Sequence, residues 1–145
     1  MPQPQLNFVN EIKAIKKVMK QSGQELVFKS NVATKDNFID MMNKGPRVLH
    51  ITCHGISTDA FKMIENYEEM VARGNCLLFE TTTGQGELVS QIELQKLIFR
   101  TWPDLDVVFV AACNSEFVGK IFLKCGARHV ICVKTDQYVL DDATI

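Results

Sequence analysis

Apolar residues along the chain switch repeatedly between a period of three to four and short continuous runs, and that alternation predicts the order of elements. Phe8, Ile12, Ile15 and Met19 recur at helical spacing and Gly23 follows as a stop, so residues 6–22 predict an amphipathic helix. Glu25–Ser30 reads as a short strand. Asp36–Asn43 reads as a second helix, with Thr34 able to cap it and Gly45-Pro46 ending it. Arg47–Cys53 is apolar and β-branched, which predicts a strand running directly into His54-Gly55. Residues 58–73 carry Phe61, Ile64, Tyr67 and Val71 on one helical side before Gly74-Asn75.

The second half continues the alternation. Cys76–Thr81 and Glu87–Val89, separated by Gly84-Gln85-Gly86, predict a β-hairpin. Ser90-Gln91-Ile92-Glu93 has the form of a capping box, and a helix through Trp102 follows, ended by Pro103. Asp106–Ala112 is an almost unbroken apolar run, the pattern of a parallel strand covered on both faces. Ser115 can cap a short helix over Glu116–Lys124, Gly126 stops it, and Arg128–Lys134 predicts a last strand. Strands alternating with helices call for an α/β fold, a mostly parallel sheet flanked by helices on both faces with a small β-hairpin inserted. Ligands of such sheets sit beyond the carboxyl ends of the strands, where both His54 and Cys113 fall.

Composition narrows the function classes. The 145 residues suffice for one domain over 1–145, and 46% hydrophobic content is ordinary for a globular chain. Lys and Arg number 16 against 17 acidic residues, so no net positive field draws in nucleic acid or an anionic membrane. No apolar run approaches the roughly 20 residues that span a bilayer, and the first residues lack the pattern of a secretory signal. The expected setting is cytoplasmic. Five cysteines, Cys53, Cys76, Cys113, Cys125 and Cys132, form an odd set without a CxxC pair, which argues for reduced thiols and against a disulfide framework or a metal site. No glycine-rich strand-to-helix loop is present, so no cofactor is expected.

Position singles out one thiol. A cysteine nucleophile needs its thiolate, a base to take the proton, and donors aimed at the developing oxyanion. Cys113 precedes the helix starting near Ser115, whose unpaired amides and dipole favour negative charge on sulfur. His54, from the other buried strand, could accept its proton. Gly55 would let the backbone turn sharply after His54 and present its N–H beside that of Cys113, making these two amides the oxyanion-hole candidates. No Asp or Asn lies near His54 in sequence, so a dyad with its imidazole held by a backbone carbonyl is expected rather than a triad. On these residues alone the plainer reading stays open: a cysteine ending a buried strand is commonly a packed residue, and His-Gly commonly a strand-to-loop turn.

The segments VLHITCHG (Val48–Gly55) and VVFVAACNSEFVGKIFLKCGARHVICVKTD (Val107–Asp136), separated by GELVSQIEL (Gly86–Leu94), resemble CHAT domains, a caspase-like family related to caspases, metacaspases and separase. The resemblance covers residues 47–142. It implies a caspase-type fold, His54 as general base, Cys113 as nucleophile, the Gly55 and Cys113 amides as oxyanion hole, and peptide-bond hydrolysis through an acyl-enzyme. The implied partner is a protein or peptide substrate. Metacaspases carry an Asp two residues before the nucleophile, where this chain has Ala111, so no basic cleavage specificity is implied. Family domains continue past the equivalent of Asp142, so the resemblance also implies truncation at the C-terminal end, with a further C-terminal portion or a regulatory protein as a second partner. The alternative is a catalytically inactive caspase-like scaffold that binds proteins within a larger assembly.

The remaining candidates read as structure. His50 shares a strand face with His54 but sits about 13 Å from it, and His50 and His129 are expected as core or subsurface histidines. Lys13, Lys16, Lys17 and Lys20 flank the apolar stripe of the first helix as a solvated face. The Thr81–Gly86 loop lacks a phosphate loop's lysine and reads as a hairpin turn. Strand alternation turns Cys53 away from His54.

Overall fold

The computed structural model describes residues 8–57 and 74–134. The helix expected over 58–73 lies outside the described residues. Two compact units are distinguished, one of Met1–Asn31 with Leu140–Ile145 and one of Val32–Val139. In the first, helix α1 (Phe8–Gln21) carries Ile12, Ile15 and Met19 half-buried, and Lys16 lies 5.5 Å from the Phe28 ring centre. The strand expected at Glu25–Ser30 is not formed, since residues 24–34 have no regular structure. Leu26 and Val27 are exposed there, and β-propensity without a pairing strand does not hold an extended segment.

The second unit holds the rest. Helix α2 (Lys35–Asn43) starts at Thr34, whose hydroxyl accepts a hydrogen bond from the Asn37 N–H, and strands β1 (Val48–Thr52) and β2 (His54–Ile56) follow. The hairpin β3 (Cys76–Glu80) and β4 (Gly86–Ser90) leads into helix α3 (Gln91–Thr101). Strand β5 (Val107–Ala111), helix α4 (Glu116–Lys124) and strand β6 (His129–Ile131) complete the described order. The Ser90 hydroxyl accepts from the Glu93 N–H as the capping pattern predicts, while the Glu93 carboxylate reaches the Ser90 hydroxyl and the Lys35 ammonium. Trp102 closes α3 in a left-handed conformation, φ 41°.

These strands form two sheets. One is parallel, in the order β1-β5-β6, and the other is antiparallel, in the order β2-β3-β4. The expected α/β architecture with its hairpin is present, but β2 was not legible: three residues are too few to show a period, and the hairpin gains it as a third strand. One hydrophobic core joins Leu49, Ile51, Val108 and Val110 of the parallel sheet to Phe38 and Met42 of α2, Leu94 and Ile98 of α3, and Phe117 and Phe122 of α4. Lys35 bridges Glu87 and Glu93 at 2.9 and 2.7 Å, tying α2 to β4 and α3 at the rim of that core.

Helices α2, α3 and α4 of this unit contribute their buried residues to the core on one face of the parallel sheet. Val108 and Val110 are at most 1% exposed, whereas Phe109 between them is 36% exposed, and Val48 and Ile131 on the same side are more so. The unbroken apolar run of β5 therefore does not mark two helical layers among the described residues. Its outward member stacks instead on His50, ring centres 4.8 Å apart and planes 19° apart. His50 and His129 are exposed rather than buried, which corrects the expectation for both: each falls on the outward register of its strand. His50 also shares a hydrogen bond with the Thr52 hydroxyl at 3.0 Å.

Candidate active site

The parallel register fixes where the candidate residues stand. Thr52 at the end of β1 pairs with Ala111 at the end of β5, and the Cys53 N–H continues the ladder to the Ala111 carbonyl. His54 and Cys113 each lie two residues beyond that last pair, at the carboxyl ends of adjacent strands roughly 5 Å apart. Cys53 and Ala112, the residues between, turn into the core at 6% and 1% exposure. His54, Gly55 and Cys113 are half-buried, at the boundary of core and solvent.

The chain then leaves β1 for the antiparallel sheet, where His54 pairs with Leu78 and Gly55 with Leu77. Gly55 is thus a strand residue, and its φ is not in the left-handed range, so the sharp turn expected at this position is not made. Its glycine is required by a different constraint. A Cβ on Gly55 would run into the carbonyl oxygen of Cys113 and stand 2.8 Å from its carbonyl carbon and 3.3 Å from its nitrogen. Backbone touches backbone there, which brings the His54-Gly55 and Cys113 segments together.

Beyond Cys113 the chain reverses through Asn114, one of two non-glycine residues among those described with positive φ (53°) and itself 5% exposed. Asparagine tolerates that conformation better than most residues. Ser115 occupies the N-cap position of α4 but makes no side-chain cap, contrary to the expectation from sequence. Its hydroxyl is drawn away to the chain after β6, accepting from the Val133 N–H at 3.0 Å, and it donates to the Val110 carbonyl at 3.5 Å. Sequence reasoning named Ser115 for the wrong bond and passed over Asn114, for which an Asn following a strand-ending Cys was the available signal.

The thiols differ in their surroundings. Burial pushes the Cys53 thiol up to about 12. Burial also raises Cys125, and burial with the nearby Glu116 carboxylate raises Cys132. Cys76 is fully buried with its sulfur 3.5 Å from the Gly74 carbonyl. None of the five is in a disulfide. Cys53 and Cys76 are packed residues in the sense of the plainer reading, while Cys113 stands at the open end of the sheet.

Comparison with known families gives one result. The family model described as the CHAT domain matches residues 3–143. No curated protein and no solved structure matches the chain.

Proposed function

The chain belongs to the CHAT domain family, whose members are related to caspase-like cysteine peptidases, and from that membership we propose that it is a cysteine endopeptidase working through His54 and Cys113. The observation that carries the reading is the close approach of Gly55 to the Cys113 backbone, with both segments emerging from the paired ends of β1 and β5. In this mechanism the imidazole of His54 takes the thiol proton and the Cys113 sulfur attacks the scissile carbonyl carbon. The carbonyl oxygen gains negative charge and accepts hydrogen bonds donated by the N–H groups of Gly55 and Cys113. Collapse of the tetrahedral adduct expels the amine, which leaves with the proton from His54. Water then attacks the thioester, assisted by the same imidazole, and releases the acid and the thiol.

The substrate in this proposal is a protein or peptide, and the setting is the cytoplasm, where glutathione keeps a thiol nucleophile reduced. No described helix is long and apolar enough to cross a membrane. The decisive experiment treats the full-length protein with a peptide-based acyloxymethyl ketone and maps the adduct by mass spectrometry. Labelling at Cys113 that is lost in Cys113→Ala and reduced at least tenfold in His54→Ala supports the dyad. Labelling no faster at Cys113 than at Cys132 rejects it and leaves a caspase-like scaffold that binds its partners without chemistry.

A further inference from the structure

Ser115 is fully buried and joins three separate pieces of chain through its own atoms. The Val133 N–H donates to its hydroxyl at 3.0 Å and its own N–H donates to the Val133 carbonyl at 3.0 Å, a reciprocal pair with the segment just past β6. Its hydroxyl donates to Val110 in β5, and its carbonyl accepts from Val118 and Gly119 in the first turns of α4 at 3.0 and 3.2 Å. Between Val110 and Ser115 lie the last turn residues of the site, Cys113 and the left-handed Asn114. A hydroxyl is the smallest side chain that both donates and accepts, and both capacities are used here.

We propose that Ser115 is a positioning residue for Cys113: its hydroxyl locks the Cys113-Asn114 turn between β5 and the segment after β6. The role rests on the reading of Cys113 as nucleophile. The lock also explains why Ser115 leaves its own helix uncapped. A serine whose hydroxyl is engaged by the Val133 N–H and the Val110 carbonyl is turned away from the first turn of α4, whose Val118 N–H bonds the Ser115 carbonyl instead. Without the hydroxyl, the half-buried Val133 amide loses this acceptor and the turn is held on its backbone side alone. Displacing a reacting group by about 1 Å costs roughly 100-fold in rate.

The test compares full-length wild type, Ser115→Ala, Ser115→Thr and Ile98→Ala, the last a buried position in α3 chosen to lower the melting temperature without touching the turn. Two probes are used at Cys113: the peptide-based ketone, read as separate inactivation rate and binding constants, and iodoacetamide, read as alkylation rate against pH. Expected is a fall of about 10- to 100-fold in the ketone inactivation rate for Ser115→Ala with its binding constant unchanged, and a shifted iodoacetamide pH profile. Recovery in Ser115→Thr and wild-type behaviour in Ile98→Ala complete the expected pattern. Should Ser115→Thr not fold, the contrast between the two alanine variants decides. If wild type resists the ketone, the peptidase reading fails by itself, and the iodoacetamide profile still judges Ser115. Identical profiles in wild type and Ser115→Ala, or an equal change in Ile98→Ala, overturn the positioning role.

Discussion

Gly55 is the residue on which the site depends most directly, because the atom it lacks would occupy space held by the Cys113 carbonyl. Gly55→Ala is expected to push the two segments apart and abolish ketone labelling of Cys113, and the same labelling assay checks it. Cys53, its near neighbour, predicts a pH dependence. A thiol raised to about 12 in the folded protein stays neutral while the unfolded chain ionises from about 9, so the unfolded state binds fewer protons above that pH. The stabilisation is complete below about 9 and is lost between there and about 12, at roughly 1.4 kcal/mol per pH unit. Urea unfolding at pH 8 and pH 10 should show the loss, and Cys53→Ala should flatten it, with a remainder from Cys125 and Cys132, which are raised in the same direction.

At the scale of elements, α4 is held against β6 by what Gly119 omits. A Cβ there would stand 2.8 Å from the Cys132 sulfur and 3.1 Å from a Val130 methyl. Alanine normally stabilises a helix interior by about 1 kcal/mol relative to glycine, yet Gly119→Ala is expected to lower the melting temperature. Adding Cys132→Ala should recover part of the loss, a coupling that a double-mutant cycle measures. Ser90→Ala removes the cap of α3 and should cost about 1 kcal/mol by chemical denaturation. That cap was readable because its partner Glu93 sits three residues away. Ser115 was misread because its partner is Val133, eighteen residues on, and no local pattern reports a distant competitor for the same hydroxyl. The segment Leu26-Val27-Phe28 failed for the same reason in reverse: its local preference is extended, and no strand among the described residues pairs with it.

For the molecule as a whole, the described layers are unequal. Leu49 points to the core and Val48, its neighbour on β1, to the exposed side. Leu49→Ala is expected to cost about 2–5 kcal/mol and Val48→Ala less than about 1, measured by urea unfolding. The parallel run of β1 and β5, with His54 and Cys113 just past their ends, was legible, since two apolar runs stop just before polar residues; the strand order was not. The one-sided cover was not, because an aromatic stacked on a histidine and an aromatic under a helix look alike in a string of residues. The meeting of Gly55 with the Cys113 segment has a further consequence. The pieces of the site are brought together by main-chain atoms and by one missing side chain, none of which depends on the sulfur. Under the proposed mechanism, exchange of Cys113 for another small residue is expected to remove the reaction and leave this main-chain architecture in place, so chemistry and fold are separable at a single position.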